Sequence, residues 1–192
     1  MAGIVLASAS PRRQELLRRI GIADFDIRVP EIEETCPPDL TPQKTVEHIS
    51  RVKANAAAEL CTPDEILITA DTMVFLGGQR LGKPADAADA LRMLTALQGR
   101  RHTVCTGVTL RQGGRSLTES ESTDVFFRAA SPAELLAYIK TGEPMDKAGA
   151  YGIQGRGALL VERISGDFFN VMGLPLLRLS RMLAQFGVSL LE

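Results

Sequence analysis

The chain has 192 residues, 45% of them hydrophobic and 23% charged, with a formal net charge of −1. Such a length and composition fit one domain, residues 1–192, with a real core, and the near-neutral balance excludes a general nucleic-acid or anionic-membrane binder, which would need a basic surface. The cysteines Cys36, Cys61 and Cys105 are odd in number, widely spaced and without a CxxC pair, so a disulfide framework or zinc site is not expected and a reducing cytosol is.

No apolar run approaches membrane-spanning length. Ala7-Ser8-Ala9 resembles a signal-cleavage site, but no basic region precedes it and the apolar run is short, so this stretch is expected to belong to the mature protein. Ile4 to Ala7 reads as a buried strand. Ser10 suits an N-cap and Pro11 the first helical position, with Leu16, Leu17 and Ile20 as the apolar face and Gly21 as the stop. Arg12 and Arg13 then fall in the first turn, at the helix end that is already positive. An anion held jointly by backbone N–H groups, Ser8, Ser10 and the two guanidinium groups would explain them; two arginines pointing into water is the alternative.

Asp26 to Val29 is a candidate strand. Glu31, Glu33 and Glu34 follow in a loop, as solvated charges or as a source of a metal-binding carboxylate. A helix is predicted from Thr41-Pro42 to about Leu60, with Val46, Ile49, Ala56 and Leu60 as its apolar positions. Lys53 completes that spacing, and a lysine on a buried face must reach an anion or snorkel to water. Glu65 to Leu76 is the most apolar segment and reads as a central strand, interrupted by Asp71-Thr72. A carboxylate there needs a partner, a metal or a raised pKa, which marks Asp71 as a functional acid.

Gly77-Gly78 predicts a tight hairpin into Gln79-Arg80-Leu81. Gly82-Lys83-Pro84 then nearly completes a phosphate-binding P-loop pattern from Gly77, but Pro84 stands where Ser or Thr must bind magnesium, and no helix passes uninterrupted through Lys83-Pro84. What survives is a lysine held beside Gly and Pro. Asp86 to Leu97 is an amphipathic helix on Ala90, Leu91, Leu94 and Leu97, closed by Gly99. His102 to Leu110 and Ser116 to Arg128 alternate as strands around Gly113-Gly114. Ser131-Pro132-Ala133-Glu134 is a capping box opening a helix to about Lys140. The glycine-rich run Asp146 to Gly157 lacks the spacing and preceding strand of a dinucleotide fingerprint, though such a loop brings backbone close to a ligand. Ala158 to Ile164 is a predicted strand, and Gly166 to Pro175 leads into a last helix on Leu176, Leu179, Leu183 and Phe186. His48 and His102 are the only histidines, so a His-based triad or metal site is not expected.

The outstanding residues are Ser8 and Ser10 with the cations Arg12, Arg13, Lys53, Lys83 and Lys147, one acid, Asp71, inside a core strand, and Glu34 as a possible second. Many cations with few carboxylates suit a polyphosphate with a divalent metal. From the residues alone this implies a phosphate-ester or anhydride enzyme on an α/β fold.

Nearly the whole chain resembles the Maf family of nucleoside triphosphate pyrophosphatases. The resemblance rests on Leu6-Ala7-Ser8-Ala9-Ser10-Pro11-Arg12-Arg13, Glu33-Glu34, Lys53, Ala70-Asp71-Thr72, Gly82-Lys83-Pro84, Asp146 to Gly155 and Gly173-Leu174-Pro175. It implies an α/β fold like the inosine triphosphate pyrophosphatases, with a mixed, twisted sheet flanked by helices and a cleft between two lobes. It also implies a cytoplasmic enzyme, often dimeric, that uses magnesium or manganese to cleave a nucleoside triphosphate to the monophosphate and pyrophosphate. Asp71 matches the family's proton acceptor and Glu34 an acid that helps hold metal. Ser8, Arg13, Lys53 and Lys83 match phosphate-binding groups, with Ser10 and Lys147 beside them as further substrate contacts. Arg12, Thr72 and Gln154 resemble the dTTP- and UTP-acting members, whereas a sister group acting on 7-methyl-GTP carries Trp, Gln and Glu there. Gln154 offers a donor and an acceptor to a neutral pyrimidine edge, while Trp and Glu would suit a cationic purine. The family's other name-giving role, inhibition of septum formation, would make the chain a division-linked binding protein instead.

Overall fold

The computed structural model describes residues 3–32 and 35–191. Among them, seven strands form one mixed sheet, with β1 Ile4–Leu6, β2 Asp26–Ile27, β3 Ile66–Leu76, β4 Gln79–Leu81, β5 Arg101–Gln112, β6 Arg115–Phe127 and β7 Val161–Ser165. The strand order is β2-β1-β3-β5-β6-β7, and β4 pairs with β3 off that path. β1 runs parallel to β2 and β3, and the remaining pairs are antiparallel. The helices are α1 Pro11–Arg19, α2 Pro42–Ala57, α3 Ala87–Leu97, α4 Pro132–Ile139, α5 Phe168–Met172 and α6 Leu176–Gln185.

β3 is the central strand and is buried along nearly all of its length, as expected of a strand covered on both faces. Its side chains alternate between two layers. Ile66, Ile68 and Ala70 pack with Leu16 and Leu17 of α1 and Leu179 and Leu183 of α6. On the opposite face Leu67 packs with Ala54 and Ala57 of α2, and Met73 and Phe75 with Val46 and Ile49. Asp71 therefore belongs to the α2 face and Thr72 to the α1 face.

Pairing along β3 also leaves a gap. β5 occupies one edge of β3 continuously from Leu67 to Phe75. β1 and β4 must share the other edge, β1 at Ile66 to Ile68 and β4 at Val74 to Leu76. Between them a stretch of about 20 Å faces neither strand, and Asp71 and Thr72 stand in its middle. This is a switch point, the place where open α/β sheets carry their ligand crevices.

The predicted turns are present. Gly77 and Gly78, both at positive φ, join β3 to β4 as a two-residue hairpin. α1 closes on a Schellman pattern, with Ile22 N–H donating to Leu17 C=O and Gly21 N–H to Arg18 C=O. Ser131 and Glu134 form the full capping box of α4.

Four local expectations change. Ser10 precedes α1, but its hydroxyl makes no capping bond; its N–H donates instead to Ser8 Oγ at 3.3 Å. α2 ends at Ala57 and continues as a 3-10 turn, and its buried face carries Ala54 and Ala57 while Leu60 is exposed, because packing against the sheet overrides the weak pattern of an alanine-rich turn. The segment from Arg156 to Leu160 is a 3-10 turn, so the strand predicted from Ala158 begins only at Val161. α5, capped by Asp167, is an additional short helix whose five residues are too few for a periodic signal.

His102 is a packed core residue, 2% exposed, set edge-on between Phe127 and Tyr151 with Nε2 2.8 Å from the Tyr151 hydroxyl. Burial holds its pKa down to about 4. Because the folded pKa is depressed, the unfolded chain takes up the proton first; the stability from neutral His102 is complete above about pH 6.5 and is lost as pH falls toward 4. Urea unfolding is expected to lose about 2 kcal/mol through His102 between pH 7 and pH 5. His102→Gln should flatten the profile over that interval, and an identical slope in the variant would remove His102 as its source.

Candidate active site

The gap on β3 opens into a cleft of about 1240 Å³. One wall is the β1–α1 loop, the other is the end of β4 with the glycine-rich segment after α4, and β3 forms the floor. Ser8, Ser10, Arg12, Arg13, Lys53, Asp71, Thr72, Lys83, Lys147 and Gln154 all line it. Of the residues singled out from the sequence, Glu33 and Glu34 lie outside the described residues.

On the α2 face of the floor, Lys53 Nζ donates to Asp71 Oδ1 at 2.7 Å. The lysine that completed the apolar spacing of α2 thus reaches the acid that interrupted β3. Asp71 is 6% exposed, and its Oδ2 is buried without a hydrogen-bond partner among the described residues. An orphaned carboxylate oxygen costs free energy unless water, a metal ion or a ligand satisfies it.

On the other face, Arg13 is clamped at three points among the described residues. Nε donates to the Gly173 carbonyl at 2.8 Å, one terminal nitrogen to Ser8 Oγ at 3.1 Å and the other to Thr72 Oγ1 at 3.1 Å. These fix the guanidinium plane at the N-terminus of α1, where helix N–H groups add to the positive field. Arg12 is held loosely, 3.9 Å from Asp146 across the cleft and partly exposed, a contact of little stability.

The far wall is organised by Glu143, which the sequence reading did not single out. Its carboxylate accepts from the Tyr138 hydroxyl at 2.9 Å, from Arg156 N–H at 2.8 Å and from Gly157 N–H at 3.0 Å, and its carbonyl accepts from Lys147 Nζ at 2.7 Å. Burial pushes the Glu143 carboxyl up, but the Gly157 and Arg156 amides and the tyrosine hydroxyl outweigh it and hold the pKa below its ordinary value. A Cβ on Gly155 would overlap that carboxylate, and one on Gly152 would overlap the Lys147 stem, so these glycines are set by close approach rather than by turn geometry. Gln154 is carried on the exposed crest of this loop. Ala150, at its base, takes a φ of 59°. Lys147 Nζ also meets Asp146 Oδ1 at 2.6 Å, and that ammonium holds the Asp146 carboxyl below its ordinary value. Lys83 projects from the exposed turn after β4, whose Gly82 carbonyl accepts from Gly149 N–H. Arg80 of β4 adds a further cation to the cleft wall.

No cluster of three or more metal-type side chains occurs among the described residues. Asp71 Oδ2 still fits a divalent ion that takes the rest of its shell from phosphate oxygens and water, because magnesium is commonly held by one or two carboxylates plus substrate phosphates.

An open mixed sheet with a buried acid at its switch point and a cleft lined by cations defines an α/β protein suited to hold a polyanion. Comparison with known proteins carries this further. The Maf-like protein family model matches residues 3–186. A protein of Symbiobacterium thermophilum named "dTTP/UTP pyrophosphatase" is 50% identical over 187 residues, covering 97% of this chain and 95% of its own. Proteins of the same name from Moorella thermoacetica and Methanosarcina mazei are 51% and 45% identical, covering 98% and 100% of this chain and 97% and 98% of their own. Among solved structures, the Ham1 protein of Staphylococcus aureus superimposes with a TM-score of 0.53 at 14% identity, over 97% of this chain and all of that one. That likeness concerns the fold, the mixed sheet flanked by helices that the family resemblance implies, here with the sheet left open. The chain belongs to the Maf family.

Proposed function

We propose that this chain is a nucleoside triphosphate pyrophosphatase that hydrolyses dTTP and UTP to the monophosphate and pyrophosphate. The observation that carries the reading is the gap on β3, where the Lys53–Asp71 pair on one face and the Arg13 clamp on the other open into one cleft. A triphosphate lying across the sheet edge would meet both. Arg13, Ser8, Ser10 and the α1 N-terminus bind phosphate oxygens, with Lys83 and Lys147 facing them from the opposite wall. Asp71 takes a proton from the water that attacks the α-phosphorus. The α-phosphorus–bridging-oxygen bond breaks and pyrophosphate leaves, its charge met by the surrounding cations. Lys53 fixes the Asp71 carboxylate and adds positive charge beside it. Asp71 and Glu34 would hold a divalent cation, magnesium or manganese, which would neutralise phosphate charge when bound.

Arg12, Thr72 and Gln154 select the base. Gln154 offers both a donor and an acceptor at the mouth of the cleft, as a neutral pyrimidine edge requires, while the Thr72 hydroxyl is engaged with Arg13 and Thr106. The family resemblance carries with it a homodimer, and the free thiols of Cys36, Cys61 and Cys105 suit the reducing cytoplasm. Among the described residues no helix is long and apolar enough to cross a membrane.

The test is pyrophosphate release from a panel of dTTP, UTP, CTP, ATP, GTP and 7-methyl-GTP with magnesium. The highest kcat/KM is expected for dTTP and UTP, with turnover abolished by chelator and restored by added magnesium. A higher kcat/KM for 7-methyl-GTP would overturn the substrate assignment. No pyrophosphate from any triphosphate would overturn the enzyme and favour a binding role.

A further inference from the structure

Thr106 lies on β5 directly opposite Thr72. It is wholly buried and lines no part of the cleft. Its hydroxyl donates to the Asn170 carbonyl at 3.0 Å and stands 2.9 Å from Thr72 Oγ1. A threonine hydroxyl has one proton to give. With the Thr106 proton on Asn170, the short contact between the threonines is filled by the Thr72 proton, and Thr72 Oγ1 then presents its lone pairs to Arg13, which donates to it at 3.1 Å. The alternative direction would send the Thr72 proton to the Gly173 carbonyl across 3.4 Å, a much poorer contact. The hydrogen bonds therefore run one way, from Arg13 to Thr72 to Thr106 to Asn170.

The end of this chain is fixed. Asn170 is fully buried, and its amide nitrogen donates to the Val104 carbonyl at 2.9 Å and to Thr123 Oγ1 at 3.0 Å. Thr123 in turn donates to the Asp167 carbonyl at 2.8 Å, beside the start of α5. Strands β5 and β6 and helix α5 are thus tied together behind the Arg13 clamp. Without the Thr106 hydroxyl, the Thr72 proton turns to the Gly173 carbonyl, which is also the acceptor of Arg13 Nε. Two of the Arg13 contacts to described residues, those to Thr72 and Gly173, would then be disturbed at once.

We propose that Thr106 is a positioning residue that orients the Thr72 hydroxyl as an acceptor and thereby holds Arg13 in its phosphate-binding pose. The inference rests on the reading of Arg13 as a phosphate ligand. Because the phosphate is charged in the ground state as well as in the transition state, the effect belongs in binding rather than in turnover.

The test compares the wild type with Thr106→Val, which keeps shape and loses the hydroxyl, and Thr106→Ser, which keeps the hydroxyl. Thr106→Val is expected to raise KM for UTP about tenfold with kcat within about twofold, and to weaken binding of inorganic tripolyphosphate by a similar factor in calorimetry. Thr106→Ser should return both to near wild type. Wild-type values in Thr106→Val, or equal impairment in Thr106→Ser, would overturn the proposal. If Thr106→Val does not fold, Thr106→Cys is read in the same way, since its thiol is a weak donor and acceptor. A wild-type protein that binds tripolyphosphate but hydrolyses no nucleotide overturns the pyrophosphatase reading alone, and the binding arm still decides the role of Thr106. Failure to bind tripolyphosphate overturns both.

Discussion

Asp71→Asn is expected to lower kcat for UTP about 10³-fold, the range for loss of a positioned general base, while KM stays within a few-fold and the protein remains folded. The amide has the size of the carboxylate and still offers an oxygen to Lys53, which now donates to Asp71 Oδ1 at 2.7 Å. What it cannot supply is the negative charge of the carboxylate, on which proton acceptance depends and which Oδ2 carries buried and without a partner among the described residues. A fall in kcat with KM preserved would place the loss in the transition state, and such a factor corresponds to about 4 kcal/mol of activation free energy. The folded state is checked by the thermal midpoint, expected within about 5 °C of the wild type. Near-normal turnover would remove Asp71 from the role of base. Collapse of the fold would make the Lys53–Asp71 pair a structural ion pair in the first place.

The residues of this pair were readable because each breaks a local pattern: Asp71 interrupts the most apolar segment of the chain, and Lys53 occupies a position that the helical spacing reserves for an apolar side chain. Their contact was not readable, since it depends on α2 crossing β3 at one height, and no periodicity encodes that. The order of strands and helices followed from patterning and turn chemistry, with Gly77-Gly78 and Ser131 to Glu134 as the strongest local signals. The cleft itself was hidden. It arises because β1 and β4 share one edge of β3 and leave five residues between them, a property of long-range pairing. Glu143 escaped for the same reason: its partners are amides of a loop more than ten residues away, and an exposed-looking acid after Gly142 carries no sequence mark. Thr106 had none, because the isolated glycine that follows it marks the close approach of another backbone on the opposite face of the sheet.

That glycine carries a large expected stability effect. Gly107 pairs with Asp71 across β3 and β5 and so lies on the same sheet face, under α2. A Cβ built on it would overlap the backbone of that helix at the Val46 carbonyl and the Glu47 nitrogen. The obstacle is main chain inside a helix, which has no rotamer to change, so α2 must lift from the sheet. Gly107→Ala is therefore expected to cost about 3 kcal/mol, seen as a thermal midpoint lower by about 10 °C for a chain of this length. Gly114→Ala serves as the control, because nothing lies within 4 Å of the added methyl there, and its midpoint should not move. The consequence reaches the site. Val46, Ile49, Ser50 and Lys53 share one face of α2 at helical spacing, so a helix displaced at Val46 carries Lys53 away from Asp71, and the 2.7 Å contact lengthens. At a temperature where Gly107→Ala is still folded, kcat for UTP should fall as well, whereas a midpoint loss with full turnover would separate the packing of α2 from the placement of Lys53. An unchanged midpoint would show that α2 does not rest on Gly107, and the account of how the fold sets the height of Lys53 over Asp71 would fail with it.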